Sequence, residues 1–230
     1  MRYVIVNADD LGLSPGVNRG IIEAHRDGLV TSASLLVDRP ASATAAGLLR
    51  AAPGLSVGVH VDLADLDGRP LVDLGNPAAC EREVARQVDR FTRLLGHHPS
   101  HLDSHRNVHR QPGPLRAFEA VAAAADLPLR EHGEVAYVSH FYGQWGGHSH
   151  PEQISPDGLI RVLSTLPPGW SELACHPGYV DDQLRSSYRQ ERELELAALV
   201  DPRVRAAAAG MDITFASFAG LPAPARGGRP

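Results

Sequence analysis

The sequence contains no lysine; all 22 of its basic residues are arginine. That absence excludes Schiff-base chemistry on a carbonyl substrate or with pyridoxal phosphate, which requires a lysine amine. It also excludes a Walker-type phosphate loop and a kinase active site, both of which place a lysine on phosphate. Cysteine is nearly absent, and Cys80 and Cys175 are too few for a disulfide framework or a thiolate zinc centre. No apolar run approaches the roughly 20 residues that span a bilayer. Residues 1–8 (MRYVIVNA) are too short for a signal peptide and run straight into acidic residues. With a formal net charge of -5 and no basic cluster, a broad nucleic-acid surface is not expected. What remains is a cytoplasmic expectation and a chemistry of carboxylates and 12 histidines.

At 230 residues the chain can bury a sizeable core. Apolar and β-branched runs predict strands near 3–6, 29–37, 55–61, 100–104, 127–130, 171–175 and 212–218. Between them, helices are expected from Pro15 to about Gly28 and at 41–52, 81–95, 115–125, 156–166 and 183–200. Ser14-Pro15 supplies a cap and a first helical residue, and Val84, Val88, Phe91 and Leu95 form the clearest amphipathic stripe. This alternation calls for an α/β fold with about seven parallel strands, in an incomplete or distorted (β/α) barrel. An open doubly wound sheet is the alternative. No linker or repeat divides the chain, so one domain is expected over 1–220, with 221–230 as a loose tail.

In such a barrel, ligands bind at the strand C-termini. Four predicted strands end there on an acid or an imidazole: Asp9-Asp10, His60, Ser104-His105 and His176. A bare Asp-Asp pair is ordinarily a solvated or capping turn. Here it follows a strand directly, and adjacent residues on an extended backbone point different ways. One carboxylate can then bind a metal while its neighbour acts as a base. His101-Leu102-Asp103-Ser104-His105 places 101 and 105 on one face of a helix, or 101, 103 and 105 on one face of a strand. The spacing leaves both open, although Pro99 and Pro112 leave little room for a helix. His60 interrupts an apolar strand, where a buried ring needs a carbonyl or a metal as partner. Cys175 and His176 are adjacent and face apart, which argues against a nucleophile pair. His140, His148 and His150 flank an aromatic, Gly-rich loop that suits stacking on a sugar ring and equally a mobile surface loop.

These residues resemble a known family. Val-Asn-Ala-Asp-Asp-Leu-Gly-Leu-Ser (6–14), Gly-Ile-Ile-Glu-Ala-His (20–25), Gly-Val-His-Val (58–61), His-Leu-Asp-Ser-His (101–105) and Cys-His-Pro-Gly-Tyr (175–179) look like the YdjC-like carbohydrate deacetylases. The likeness runs in order from residue 3 to about 182. It implies a β/α barrel related to polysaccharide deacetylases, acting with a divalent metal on N-acetylated sugars, chitooligosaccharides included. By motif position it implies Asp10, His60 and His105 as metal ligands, Asp9 as general base and His176 as general acid. Arg106 and Asn107 stand where many relatives carry histidine, and the segment from His60 to Glu81 is shorter than in chitooligosaccharide-specific relatives.

The resulting expectation is a metal-dependent hydrolase that removes the acetyl group from an N-acetylated sugar, oligosaccharide or glycoconjugate. Asp103, Arg106, His109, Tyr142 and Trp145 are the expected substrate contacts, and one divalent ion, magnesium or zinc, is the expected cofactor. No nucleic-acid partner or membrane span is expected, and a homodimer is left open. The competing readings are a metal-dependent phosphoesterase and a sugar-binding protein without turnover.

Overall fold

The apolar run at residues 3–6 opens a longer strand, β1 (Arg2–Leu11), in a computed structural model that describes residues 1–222. Every residue of β1 from Val4 onward is buried. The cause is its central place in the sheet, where β2 (Ser32–Leu35), β3 (Ser56–Val61) and β4 (Leu102–Ser104) follow on one side. On the other side lie β8 (Gly169–Cys175) and then β5 (Ala136–Val138). β9 (Ile213–Ala216) pairs with the first half of β1. All seven strands run parallel. The sheet curls into a half-barrel, the distorted β/α barrel that the alternation predicts. Because the strands are parallel, their C-terminal ends share one rim.

The helices form where their caps allow. Ser14 Oγ accepts the Val17 N–H and Pro15 begins α1 (Pro15–Arg26), which buries Val17, Ile21 and Ala24. α2 covers Ser42–Leu49. α3 (Pro77–Leu95) buries Val84, Val88 and Phe91 and stops at Gly96, whose φ of 77° favours glycine. It starts four residues before the expected Glu81, because Asn76 caps it and Pro77 fits the first turn. α4 (Pro112–Ala125) and α5 (Pro156–Ser164) lie close to expectation.

Four elements differ from the sequence reading. The strand expected at 127–130 is reduced to a bridge: Leu102 N–H donates to Pro128 O and Arg130 N–H to Leu102 O. Glu131 then turns with φ 66°, and the strand forms later, as β5. The helix expected over 183–200 forms only as α6 (Gln190–Val200). Before it, Asp181 accepts the Gln183 N–H and the Arg189 side chain donates to Leu184 O, so the segment folds on its own polar groups. Asp201-Pro202 caps an unexpected helix, α7 (Pro202–Ala209). The aromatic loop is a small hairpin of β6 (Gln144–Trp145) and β7 (His148–Ser149), turned by Gly146 and Gly147. Of the tail expected at 221–230, residues 223–230 lie outside the described residues. Among the described residues, no helix is long and apolar enough to cross a membrane.

Candidate functional site

Asp9 and Asp10 reach one site because β1 is irregular. Its register with β2 is Ala8–Ala33 and next Leu11–Leu35, so β1 carries one extra residue. Asp10 takes φ 70°, a left-handed conformation that costs a non-glycine residue roughly 1–2 kcal/mol. The kink breaks the alternation that would send neighbouring side chains to opposite faces. Both carboxylates line a cavity of about 430 Å³ at the C-terminal rim of the sheet.

Three donor atoms converge there. His105 Nδ1 lies 3.0 Å from Asp10 Oδ1, and His60 Nε2 lies 3.4 Å from the same oxygen. His60 and Asp10 are each held from behind. His60 Nδ1 lies 2.8 Å from Asp103 Oδ1, which leaves Nε2 facing Asp10. Arg192 Nη2 donates to Asp10 Oδ2 at 2.6 Å, which leaves Oδ1 facing the imidazoles. Burial opposes charge on His60, yet Asp103, Asp9 and Asp10 outweigh it and hold the ring well above its usual pKa. Burial likewise opposes charge on Asp10, and Arg192 with His105 and His60 holds it well below the carboxylate range. One carboxylate oxygen and two imidazole nitrogens facing one another at 3.0 and 3.4 Å form a donor set that fits a divalent metal. Asp9, His60 and Asp103 form a second acid–histidine group. It is a poorer site, since both Asp9 oxygens already accept from Arg130 and Asp103 already holds the His60 nitrogen it would use.

Asp9 is 4% exposed. Its Oδ1 accepts from Asn7 Nδ2 at 2.8 Å and Arg130 Nη2 at 2.7 Å, whereas Oδ2 accepts only from Arg130 Nη1, at 2.8 Å, among the described residues. Oδ2 therefore keeps lone-pair capacity. Burial raises the pKa of Asp9, but Arg130 outweighs it and the net shift is downward. His176 Nε2 stands 3.9 Å from that Oδ2. The His176 backbone N–H donates to Glu195, and its ring lies edge-on to Tyr142 and Tyr188, which stack on each other at 4.7 Å. Burial holds His176 down to about 4. Glu195, fully buried on α6, is pushed up to about 8 by burial, and Tyr188 Oη hydrogen-bonds to it.

The cavity thus gathers Asp9, Asp10, His60, His105 and His176, from four separate strand ends. Arg106 and Tyr142 also line it. The other expected substrate contacts are placed elsewhere. Asp103 is fully buried, accepting from Ser34 Oγ at 2.6 Å and lying against His60 and Arg130. His109 is fully buried between Ser104 Oγ and Glu131. Trp145 is 49% exposed, stacked on His150 in the hairpin and outside the cavity wall. His101 is fully buried, stacked on Phe218 at 3.8 Å, with Nε2 3.1 Å from Ser34 Oγ, the hydroxyl that also donates to Asp103. Cys175 is buried, and burial pushes its thiol well up.

Arg130, Arg192, Glu172, Glu195 and Tyr188 were not singled out by the sequence. Glu172 had a usable signal, a carboxylate inside the apolar strand Trp170–Cys175, the same anomaly that marked His60.

The chain is 35% identical over 244 residues to a carbohydrate deacetylase of Geobacillus stearothermophilus, covering 94% of this chain and 97% of the relative. It is 33% identical over 261 residues to a chitooligosaccharide deacetylase of Serratia marcescens, covering 96% and 99%. Among solved structures, an Enterococcus faecalis V583 protein provisionally described as cleaving cellobiose phosphate superposes with a TM-score of 0.82 at 27% identity, over 94% of this chain and 97% of that one. A family 4 carbohydrate esterase from Streptomyces lividans shares the fold, with a TM-score of 0.58 at 18% identity over 92% and 90% of the chains. The family model described as YdjC-like protein matches residues 3–209, and the chain belongs to that family.

Proposed function

We propose that this protein is a metal-dependent hydrolase removing the acetyl group from an N-acetylated sugar, oligosaccharide or glycoconjugate. The observation that carries this reading is the pairing of two differently partnered aspartates: Asp10 joins His60 and His105 as a ligand set, and Asp9 beside it keeps Oδ2 open toward the cavity. The activities in the names of the Geobacillus and Serratia relatives support the substrate class. Asp10, His60 and His105 would hold one divalent ion, magnesium or zinc. The chemistry such an ion supplies is Lewis acidity, polarising the acetyl carbonyl and making a water more acidic.

Asp9 Oδ2 takes the proton of the attacking water. Arg130 keeps Asp9 ionised at rest, and Asn7 on Oδ1 leaves Oδ2 as the oxygen able to face the water. The departing sugar amine needs a proton, because it leaves poorly as an anion. His176 is neutral at rest, so it is not loaded with that proton beforehand. Its Nε2, 3.9 Å from Asp9 Oδ2, lies where the proton taken from water can be handed on to the amine. Tyr142 offers its ring to the sugar.

A two-ion phosphoesterase fits less well, because the second acid–histidine group shares His60 and is closed by Arg130. The test is acetate release from N-acetylated mono- and oligosaccharides and glycolipids, with the metal replaced systematically. Asp9→Asn is expected to abolish acetate release while metal content survives. Ordinary turnover by a metal-loaded Asp9→Asn protein would sink the base assignment, and tight sugar binding with no acetate under any metal would favour a binding protein.

A further inference from the structure

Arg130 is the only cation touching Asp9 within hydrogen-bond distance among the described residues, and it is itself fully buried. Its guanidinium has two usable edges. The end-on edge, Nη1 and Nη2, forks onto the two oxygens of Asp9 at 2.8 and 2.7 Å. The side-on edge, Nε and Nη2, closes on the single oxygen Oε1 of Glu172 at 2.8 and 2.6 Å. Asp103 Oδ2 also stands 2.8 Å from Nη2, close enough to compete for it. A planar guanidinium gripped along only one edge can swing; gripped along two, it cannot. Tyr137, the register partner of Glu172 on β5, covers the cation with its ring at 5.0 Å and offers no acceptor in that plane.

We infer that Glu172 is a positioning residue for the general base: by holding the side-on edge of Arg130, it keeps the guanidinium fork on Asp9 and so aims Asp9 Oδ2 at the cavity. This rests on the deacetylase reading given above. Glu172 lies on β8 four residues before His176, so one strand sets the base through Arg130 and carries the proposed acid at its end. Burial pushes the Glu172 carboxyl up to about 7. Oε1 accepts from Arg130 whether or not a proton sits on the other oxygen, so charge at position 172 is not what the arrangement requires.

That distinction sets the experiment. With wild-type acetate release established, Glu172→Gln and Glu172→Leu are compared in the metal-loaded protein. Glu172→Gln, which keeps an acceptor oxygen, is expected to stay within about threefold of wild-type kcat. Glu172→Leu is expected to lose about tenfold or more in kcat with KM within about twofold and metal content unchanged, the pattern of an interaction lost in the transition state alone. The same loss should largely vanish in an Arg130→Lys background, where no fork remains to be aimed. Wild-type kcat in Glu172→Leu, equal losses in the Gln and Leu variants, or losses that simply multiply with Arg130→Lys would each overturn the inference. Glu172→Ala, judged by the same criteria, replaces Glu172→Leu if the latter does not fold. A wild-type protein that releases no acetate defeats the deacetylase reading instead. In that case faster solvent exchange of the Arg130 Nε–H in Glu172→Leu than in Glu172→Gln still tests the grip itself.

Discussion

Single atoms decide what each carboxylate in this site can do. Asp9, Asp10 and Asp103 lie within a few residues of the cavity, yet their partners separate them: Arg130 forks onto Asp9, Arg192 takes one oxygen of Asp10, and His60 Nδ1 takes one oxygen of Asp103. A histidine bound to metal through one nitrogen has its tautomer and tilt fixed by whatever accepts from the other. Asp103 is that acceptor for His60, so its effect on a metal should be indirect. Asp103→Asn is expected to weaken divalent-ion affinity by about 10–100-fold while the proposed ligands Asp10, His60 and His105 remain in place. Competition against a chelator of known affinity measures it, and an unchanged affinity would remove the orienting role. The sequence offered Asp103 as a substrate contact; it could not show that the side chain is buried against His60 and Arg130, because the face of a three-residue strand depends on its register with β3.

Elements made the site partly legible and partly opaque, and α6 shows why. A helix normally buries its apolar stripe, and a charged face reads as solvated. α6 instead buries Glu191, Arg192 and Glu195 beside Leu196 and Leu199. Arg192 bonds to Asp10 and Glu195 to the His176 backbone, in a pattern that looks like an ordinary exposed face. The strand ends were legible because β-strands here are apolar runs broken by single polar residues, and parallel order gathers such breaks at one rim. The hairpin was not, because two-residue strands carry no period to read. Helix α1 positions the His176 loop by close approach: a Cβ at Gly20 would stand 2.5 Å from Gly178 Cα, backbone that cannot rotate away. Gly20→Ala should therefore cost about 1–3 kcal/mol of stability and displace the loop that carries His176. Thermal unfolding together with kcat should register both. A variant with unchanged melting and turnover would show that this contact yields easily.

For the whole molecule, the consequence of burying so many titratable groups is a stability that turns over with pH. His101 and His176 are both held down to about 4 by burial, against an ordinary 6.5. Between those values the unfolded chain binds more protons, so stability rises with pH. Glu172 and Glu195 run the other way, pushed up to about 7 and about 8 from an ordinary 4.5. Above pH 4.5 the unfolded chain loses these protons while the folded one keeps them, and stability falls with rising pH, by at most about 1.4 kcal/mol per pH unit per group. The opposing slopes offset each other up to about pH 6.5, where the histidine contribution is complete. Beyond it the acids act alone, joined in the metal-free protein by His60, which is held well above 6.5 and so also favours the protonated fold. The metal-free protein should accordingly melt highest near neutral to slightly acidic pH and lose stability toward pH 8. Glu195→Gln isolates one of these slopes. Its amide can donate to Tyr188 Oη while its oxygen accepts the His176 backbone N–H, the pattern of the protonated acid, without a proton to lose. The melting temperature of Glu195→Gln relative to wild type should therefore climb steadily between pH 5 and 8. Parallel melting curves across that range would mean that Glu195 is ionised in the folded protein, and that the alkaline loss of stability arises from Glu172 and His60 alone.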